Sequence, residues 1–369
     1  MKQYIRQLFL GGNTRYGFRG FYDQLLIPGD NKDRVFIIKG GPGTGKSTFI
    51  KRVGAELSNA GWDITYIRCS GDPASMDGVI CPDAGVAVVD GTAPHVLDPS
   101  CPGAREEILN FGDYWDTDML IRHRPDIIKL DKEKKEYVKR AYNYLGAAGL
   151  IYDDNNHIFS DAVEIGKLNN FIAKLLDELF YDMDYSVKMG TDIKFFATAV
   201  TASGIQGDVE NLFKNQKVYS IKVPFGYSTS YVLEKVKQRA HTSGYMTESF
   251  YSGFDSESLE HVSVPELDFC VVTSNDFHPV QGSDLYYEYP IEGFFAEYAL
   301  CSAKDDLKYN RIRFDELLEK AERCLFKSRQ RHNEMEEIFI SSMDFDELEL
   351  YSGLAMSAIE NAVQQNIDM

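Results

Sequence analysis

Sliding the chain over itself by 183 positions lays Arg34–His95 on Lys217–His278 without a gap, and 14 of the 62 pairs are identical. Roughly one pair in sixteen would match by chance in a chain of ordinary composition. A self-match of this length means one structural unit built twice. The identities fall at structural punctuation: Gly61 on Gly244, Asp72 on Asp255, Pro82 on Pro265, Val88-Val89 on Val271-Val272, His95 on His278. Upstream the register moves by four residues, the size of an extra loop around "PGDNKD". There Phe9, Thr14, Gly17, Gly20 and Leu25 meet Phe196, Thr201, Gly204, Gly207 and Leu212. The 369 residues suffice for two ordinary domains. The expected division is 1–187 and 188–369, the boundary falling near 186–192.

Each copy reads as α/β. "RVFIIK" is a β-branched apolar run suited to a buried strand. A glycine-rich loop follows, then a helix from about Ser47 to Asn59 ended by Gly61. "DITYIRC" and "GVAVVD" are further strands, and strands alternating with helices predict a parallel sheet in a three-layer unit. After Pro102 the pattern turns helical: "AREEILNF", "DIIKLDKEKKEYVKRAYNYLGAAGLIY" and "DAVEIGKLNNFIAKLLDELFYDM", interrupted at Pro125 and "DDNN". The second copy carries "RIRFDELLEKAERCLFKSRQRHNEMEEIFI" and "DELELYSGLAMSAIENAVQQ" in the same place. The charges from Glu133 and Lys135 to Arg140 read as a solvated helix face.

The loop is where the copies part. In the first, Gly40-x-x-x-x-Gly45-Lys46-Ser47 is a complete phosphate-binding (Walker A) pattern between strand and helix. Gly41, Gly43 and Gly45, with Pro42 and Thr44 between them, allow the tight turn in which successive N–H groups cup an anion at the helix start. Lys46 is expected on the β- and γ-phosphates, Ser47 on Mg²⁺ and Thr48 near the α-phosphate. Asp90, closing "VAVVD", is the expected second metal position. Gly91 follows it, where many motor-type ATPases carry a water-polarising glutamate, which points to slow hydrolysis. His95 is a candidate γ-phosphate sensor or proton acceptor. Asp72, Ser75, Asp77, Thr92 and Asp98 cluster at the same strand ends. Arg15 is a further phosphate candidate without a fixed position, and Lys39, matched by Lys222, reads as a strand-edge feature. No Asn-Lys-x-Asp signature follows a later strand, which favours ATP over GTP.

In the second copy Val223 and Pro224 replace Gly40 and Gly41, Ser228 replaces Gly45, Thr229 replaces Lys46, and Thr273 replaces Asp90. Both the charge that offsets a triphosphate and the acidic metal anchor are gone, and Pro224 removes a backbone donor. Mg-ATP is expected at the first copy alone.

A formal charge of −18 argues against general nucleic-acid binding. No 18-residue apolar stretch exists, and the N-terminus lacks a signal-peptide pattern, so a cytoplasmic protein away from membranes is expected. The six scattered cysteines then read as reduced thiols. Cys69, Cys81 and Cys101, with His95, fit no zinc template.

"FLGGNTRYGF", "IKGGPGTGKST", "DPASMDGV", "VAVVDGTAPHVLDP" and "FGDYWD" together resemble a bacterial family of tandem P-loop proteins. The family is common among Gram-positive anaerobes and spore formers, and its members are labelled ATPase, ATP-binding protein or nucleotide kinase. The resemblance spans nearly the whole chain and implies an ATP-binding protein with Gly40, Gly45, Lys46, Ser47 and Asp90 in the roles given above. "VPFGYSTS" departs from a glycine-rich second loop. The first expectation is a Mg²⁺-dependent ATPase of slow turnover whose second half is a structural or regulatory pseudo-copy. A phosphotransferase with Asp72 or Asp77 as base is the second. A non-hydrolysing nucleotide sensor serving a protein partner is the third.

Overall fold

A computed structural model of the chain describes residues 4–25, 33–181, 183, 186–277, 279–280 and 286–368. His278 and most of "PGDNKD" lie outside the described residues. The first copy contains β1 (Ile5–Leu8), β2 (Gly11–Thr14), β3 (Gly17–Gly20), β4 (Arg34–Lys39), α1 (Lys46–Asn59), β5 (Ile64–Arg68), β6 (Met76–Cys81), β7 (Val86–Asp90) and β8 (Glu106–Asn110). Three helices follow: α2 (Thr117–Arg122), α3 (Arg124–Ala162) and α4 (Ile165–Leu179). The second copy contains β9 (Asp192–Phe196), β10 (Thr198–Thr201), β11 (Gly204–Gly207), α5 (Val209–Leu212), β12 (Lys217–Lys222), α6 (Ser230–Ser243), β13 (Thr247–Tyr251), β14 (Leu259–Val264), β15 (Phe269–Ser274) and β16 (Tyr286–Pro290). It ends in α7 (Glu297–Ser302), α8 (Lys304–Ser341) and α9 (Phe345–Asp368).

Two six-stranded mixed sheets result. The first runs β1-β5-β6-β7-β4-β8 and the second β9-β13-β14-β15-β12-β16, position for position the same order. All neighbours are parallel except β6 and β14, each antiparallel to both of its neighbours. The expectation of purely parallel sheets is corrected by connection length. Only residues 69–75 separate β5 from β6 and 82–85 separate β6 from β7. Links this short reverse a strand, whereas a parallel return needs a crossover of a dozen residues or more.

Each sheet packs one face against a pair of helices. Phe36, Ile38, Val79, Val86, Val88 and Leu109 share one face of the first sheet. They form a single core with Phe49, Ile50 and Val53 of α1 and Met356, Ile359 and Val363 of α9. In the second sheet Tyr219, Ile221, Val262, Val264 and Val271 pack with α6 and with Leu168, Ile172 and Leu175 of α4. In each sheet, then, one face is covered by two helices, α1 and α9 in the first and α6 and α4 in the second.

Two further expectations change, while the expected break at Pro125 is present between α2 and α3. "AREEILNF" contains β8, which pairs with β4 and alternates exposed Ile108 with buried Leu109. Pro125 lies in the first turn of α3, where its missing N–H costs nothing. "DDNN" does not interrupt α3. Its side chains find partners within the fold instead of competing for the backbone: Asn310 Nδ2 donates to Asp154 Oδ2 (2.6 Å) and to Asn155 Oδ1 (2.9 Å).

Compact units do not coincide with the sequence halves. Unit 1 comprises 1–11, 20–140 and 323–369; unit 2 comprises 12–19 and 141–322. Thus α9 packs on the first sheet and α4 on the second: each copy's last helix serves the other copy's sheet. Two isolated bridges repeat the exchange, Trp115 with Met343 in unit 1 and Val163 with Phe295 in unit 2. Helix starts at 117, 124 and 165 recur at 297, 304 and 345, so the helical segments match in a register of 180.

Candidate functional site

In unit 1 the chain leaves buried β4, turns through Gly40–Gly45 and enters α1 at Lys46. Gly43 (φ 68°) and Gly45 (φ 79°) hold left-handed backbone that other residues adopt at a cost. A Cβ on Gly43 would also stand 2.6 Å from Ile340 Cγ1, and one on Gly41 2.9 Å from Phe339. Buried Thr44 ties the turn by donating from Oγ1 to Gly41 O (2.9 Å). No side chain caps α1, and no acidic residue occupies its first turn, so the positive end of the helix keeps its field. Pro42 is half-buried and Thr48 exposed beside it.

Lys46 folds back over the loop, its Nζ donating to Gly41 O (2.7 Å) and Gly40 O (3.1 Å) and standing 3.6 Å from Asp90 Oδ2. That proximity follows from topology, because β7 pairs directly with β4 and Ile38 faces Asp90. Asp90 Oδ1 accepts from the N–H (2.9 Å) and hydroxyl (2.6 Å) of Thr92, which fixes the carboxylate. Ser47 Oγ accepts from Met76 N–H (2.9 Å). Among the described residues no group of three or more His, Cys, Asp or Glu side chains gathers to hold a metal. Ser47 and Asp90 offer a hydroxyl and a carboxylate of the kind that Mg²⁺ uses, since it binds through one or two protein oxygens together with substrate phosphates.

The remaining candidates have other occupations. Buried His95 sets Nε2 3.4 Å from Asp77 Oδ2 and stacks on Tyr22 with centroids 4.6 Å apart; Tyr22 also donates to Asp77 Oδ2 (3.1 Å). Burial opposes the imidazolium, but Asp77, then the Asp90 carboxylate and carbonyl, outweigh it and hold His95 above its ordinary pKa. His95 thus braces the end of β7 from behind. Lys39 donates to Gly91 O (2.9 Å), Leu97 O (2.7 Å) and Asp98 Oδ1 (2.9 Å), pinning the loop after β7. Ser75 donates its N–H to Asp72 O (2.8 Å). Arg15 is not at this site: it belongs to unit 2, where its side chain, 7% exposed, pairs with Asp153 and with Asp255 (3.3 Å). The six cysteines are free thiols, as expected.

Residues that spacing did not suggest come from the end of α8. Arg329 Nη2 pairs with Asp72 Oδ1 (2.7 Å), while Glu336 and Ile340 lie against Gly43 and Phe339 against Gly41. Positions 329, 332, 336, 339 and 340 share one helix face. Burial, with Lys134, Lys46 and Arg329 nearby, pushes His332 down to about 4, and Asp72 only partly offsets this.

The matching loop of unit 2 is packed with aromatic rings and lacks the charged pair. Thr229 and Thr273, at the positions of Lys46 and Asp90, hydrogen-bond through their hydroxyls, and Thr273 donates to Glu260 O (2.6 Å). Ser230 keeps the bond of Ser47, accepting from Leu259 N–H (2.9 Å). Asn156 Oδ1, in the register of Glu336, accepts the loop N–H of Ser228 (3.2 Å). Phe225 of the loop packs on Phe314 (4.9 Å), Phe277 (5.4 Å) and Tyr152 (5.6 Å), with Arg311 over its ring (4.4 Å).

No described helix is long and apolar enough to cross a membrane. No family model, no curated protein and no solved structure matches the chain.

Proposed function

We propose that unit 1 is a P-loop nucleotide site that binds Mg-ATP and hydrolyses it slowly, and that unit 2 is a degenerate copy without nucleotide. The reading rests on one observation: the Lys46 ammonium and Asp90 carboxylate meet 3.6 Å apart where an uncapped helix N-terminus follows a glycine turn. Such a site gathers what a triphosphate requires, namely loop amides, a helix dipole, a mobile cation and an acidic position. On nucleotide binding Lys46 exchanges the Gly40 and Gly41 carbonyls for phosphate oxygens. Ser47 and Asp90 are the residues that would hold Mg²⁺, which would offset charge on the phosphates. Unit 2 supports the assignment by contrast, since it has lost the charged pair together and its loop N–H at Ser228 is taken by Asn156.

Phosphotransfer to a second substrate is weaker, because both carboxylates suited to act as base are engaged. Asp72 holds Arg329, and Asp77 is buried under Tyr22 and His95. Equilibrium dialysis with Mg-ATP, coupled to phosphate-release measurement, tests the reading. One nucleotide per chain is expected, with binding abolished by Lys46→Ala. Two sites per chain, or unaltered binding in that variant, would refute it.

A further inference from the structure

We propose that Arg329, on the α8 segment supplied by the second sequence half, binds the phosphoryl group lying outward of those gripped by Gly40–Ser47. The pseudo-copy then completes the first copy's site instead of merely packing near it. The inference rests on the nucleotide reading above and adds to it a residue outside the loop motif.

Its basis is the course of α8 over the loop. At one end of a single helix face Arg329 holds Asp72 at 2.7 Å; at the other, Glu336, Phe339 and Ile340 lie on Gly43 and Gly41. Asp72 lies in the short segment 69–75 that leads into Met76, and Met76 N–H bonds Ser47 Oγ at 2.9 Å. Arg329 is thereby tied to the end of the loop where Ser47 stands. Its side chain is 31% exposed. A guanidinium offers five N–H donors in a planar fork that suits phosphate, and Asp72 engages it through Nη2. Lys134 adds to the same cationic neighbourhood, whose charge together with burial keeps His332 neutral. Glu336 is the opposing charge on that face, beside Gly43.

Unit 2 provides an internal control. In the register of 180, Arg329 corresponds to Gly149, His332 to Tyr152 and Lys134 to Phe314. There the equivalent of Asp72, Asp255, is answered by Arg15, whose side chain is sealed at 7% exposure. An arginine opposite this carboxylate therefore serves both folds, but only in unit 1 is that arginine accessible, at 31% against 7% exposure. The phosphoryl group is either the γ-phosphate of the same nucleotide or that of a separate acceptor.

The test uses the full chain and calorimetric titration with Mg-ADP and the Mg complex of β,γ-imido-ATP. Arg329→Ala is expected to reduce the preference for the triphosphate over the diphosphate by tenfold or more. Its affinity for Mg-ADP should stay within about twofold, and Arg329→Lys should recover part of the loss. A second arm saturates the chain with Mg-ADP and titrates a nucleoside monophosphate. Loss of that binding in Arg329→Ala, with the triphosphate preference intact, identifies an acceptor as the source and also supports the inference. Asp72→Asn separates recognition from folding, since it breaks the ion pair while keeping the guanidinium and should preserve the preference. Equal weakening of both nucleotides by Arg329→Ala and Asp72→Asn would overturn the inference in favour of a structural pair. So would unchanged titrations in Arg329→Ala while Lys46→Ala abolishes binding. Mg-ADP binding that survives Lys46→Ala would instead remove the nucleotide reading, and the inference with it.

Discussion

Replacing Lys46 and Asp90 by threonine, singly and together, transplants the solution of unit 2 into unit 1. The two charged groups stand 3.6 Å apart with side chains 12% and 14% exposed. At an effective dielectric constant of about 20, Coulomb's law gives an attraction of about 4 to 5 kcal/mol. That is a ceiling, because both groups keep some contact with water and Lys46 also donates to Gly40 O and Gly41 O. Removing either partner leaves the other charge poorly compensated in a largely buried place, and a loss of about 2 to 3 kcal/mol is expected for each single variant. The double variant removes both charges and recreates the hydroxyl pair that Thr229 and Thr273 form in unit 2. Its loss should not exceed that of either single variant, a coupling of about 2 kcal/mol. The two tryptophans of the chain, Trp62 and Trp115, both belong to unit 1, so their fluorescence during urea unfolding reports on this unit. Mg-ATP binding should be absent from all three variants. A double variant as destabilised as the sum of the singles would show that the residues do not act as a pair. One that still bound Mg-ATP would sink the site assignment.

Two titrations test the contrast between units. Burial pushes buried Glu260 up to about 8. Below pH 4.5 both states carry the proton, and as pH rises toward 8 only the unfolded chain ionises, so stability falls across that interval by about 3 to 4 kcal/mol. Glu260→Gln should flatten the loss and unfold later than the natural chain at pH 8, as followed by circular dichroism. His332 has the opposite profile. The unfolded chain takes up a proton near pH 6.5 while the folded imidazole stays neutral to about 4, so stability declines as pH falls through that window, by about 2 to 3 kcal/mol. His332→Gln should remove that slope from the tryptophan-monitored transition. Binding of Mg-ATP, by countering Lys134, Lys46 and Arg329, should be accompanied by proton uptake measurable by calorimetry in buffers of different ionisation enthalpy. Gly43→Ala should weaken Mg-ATP binding at least tenfold in dialysis, since a Cβ there meets Ile340 in left-handed backbone.

Features set within a few residues were legible in the chain itself. β4 and α1 fall within a residue of the expected spans, because a β-branched run and a glycine stop act locally. Gly61 and Gly244 both take left-handed φ at their helix ends. The repeat reaches individual bonds: Thr14 donates to Gly17 O and Thr201 to Gly204 O, each at 2.8 Å. Where local preference competed with packing, the expectation failed. β8 is strand because β4 offers it an edge, and "DDNN" stays helical because Asn310 and Arg15 take its polar groups. That His95 and Asp77 are buried against Tyr22 was not legible, because spacing does not encode burial. Arg15 looked free to reach a phosphate because nothing in its neighbourhood names Asp153 or Asp255.

By itself, then, the sequence determined a lysine-bearing glycine turn between strand and helix, a second turn stripped of that lysine, and a chain repeating one pattern. Backbone geometry and charge at these positions depend on neighbours within a dozen residues, so residue order carries them. Tertiary structure alone decided that the terminal helices change partners between copies, that Arg329 and His332 join Lys46 in unit 1, and that Phe314 and Tyr152 close the matching hollow in unit 2. Those pairings join segments from dozens to hundreds of positions apart, and what selects them is which apolar faces can be buried together, a property of the folded whole.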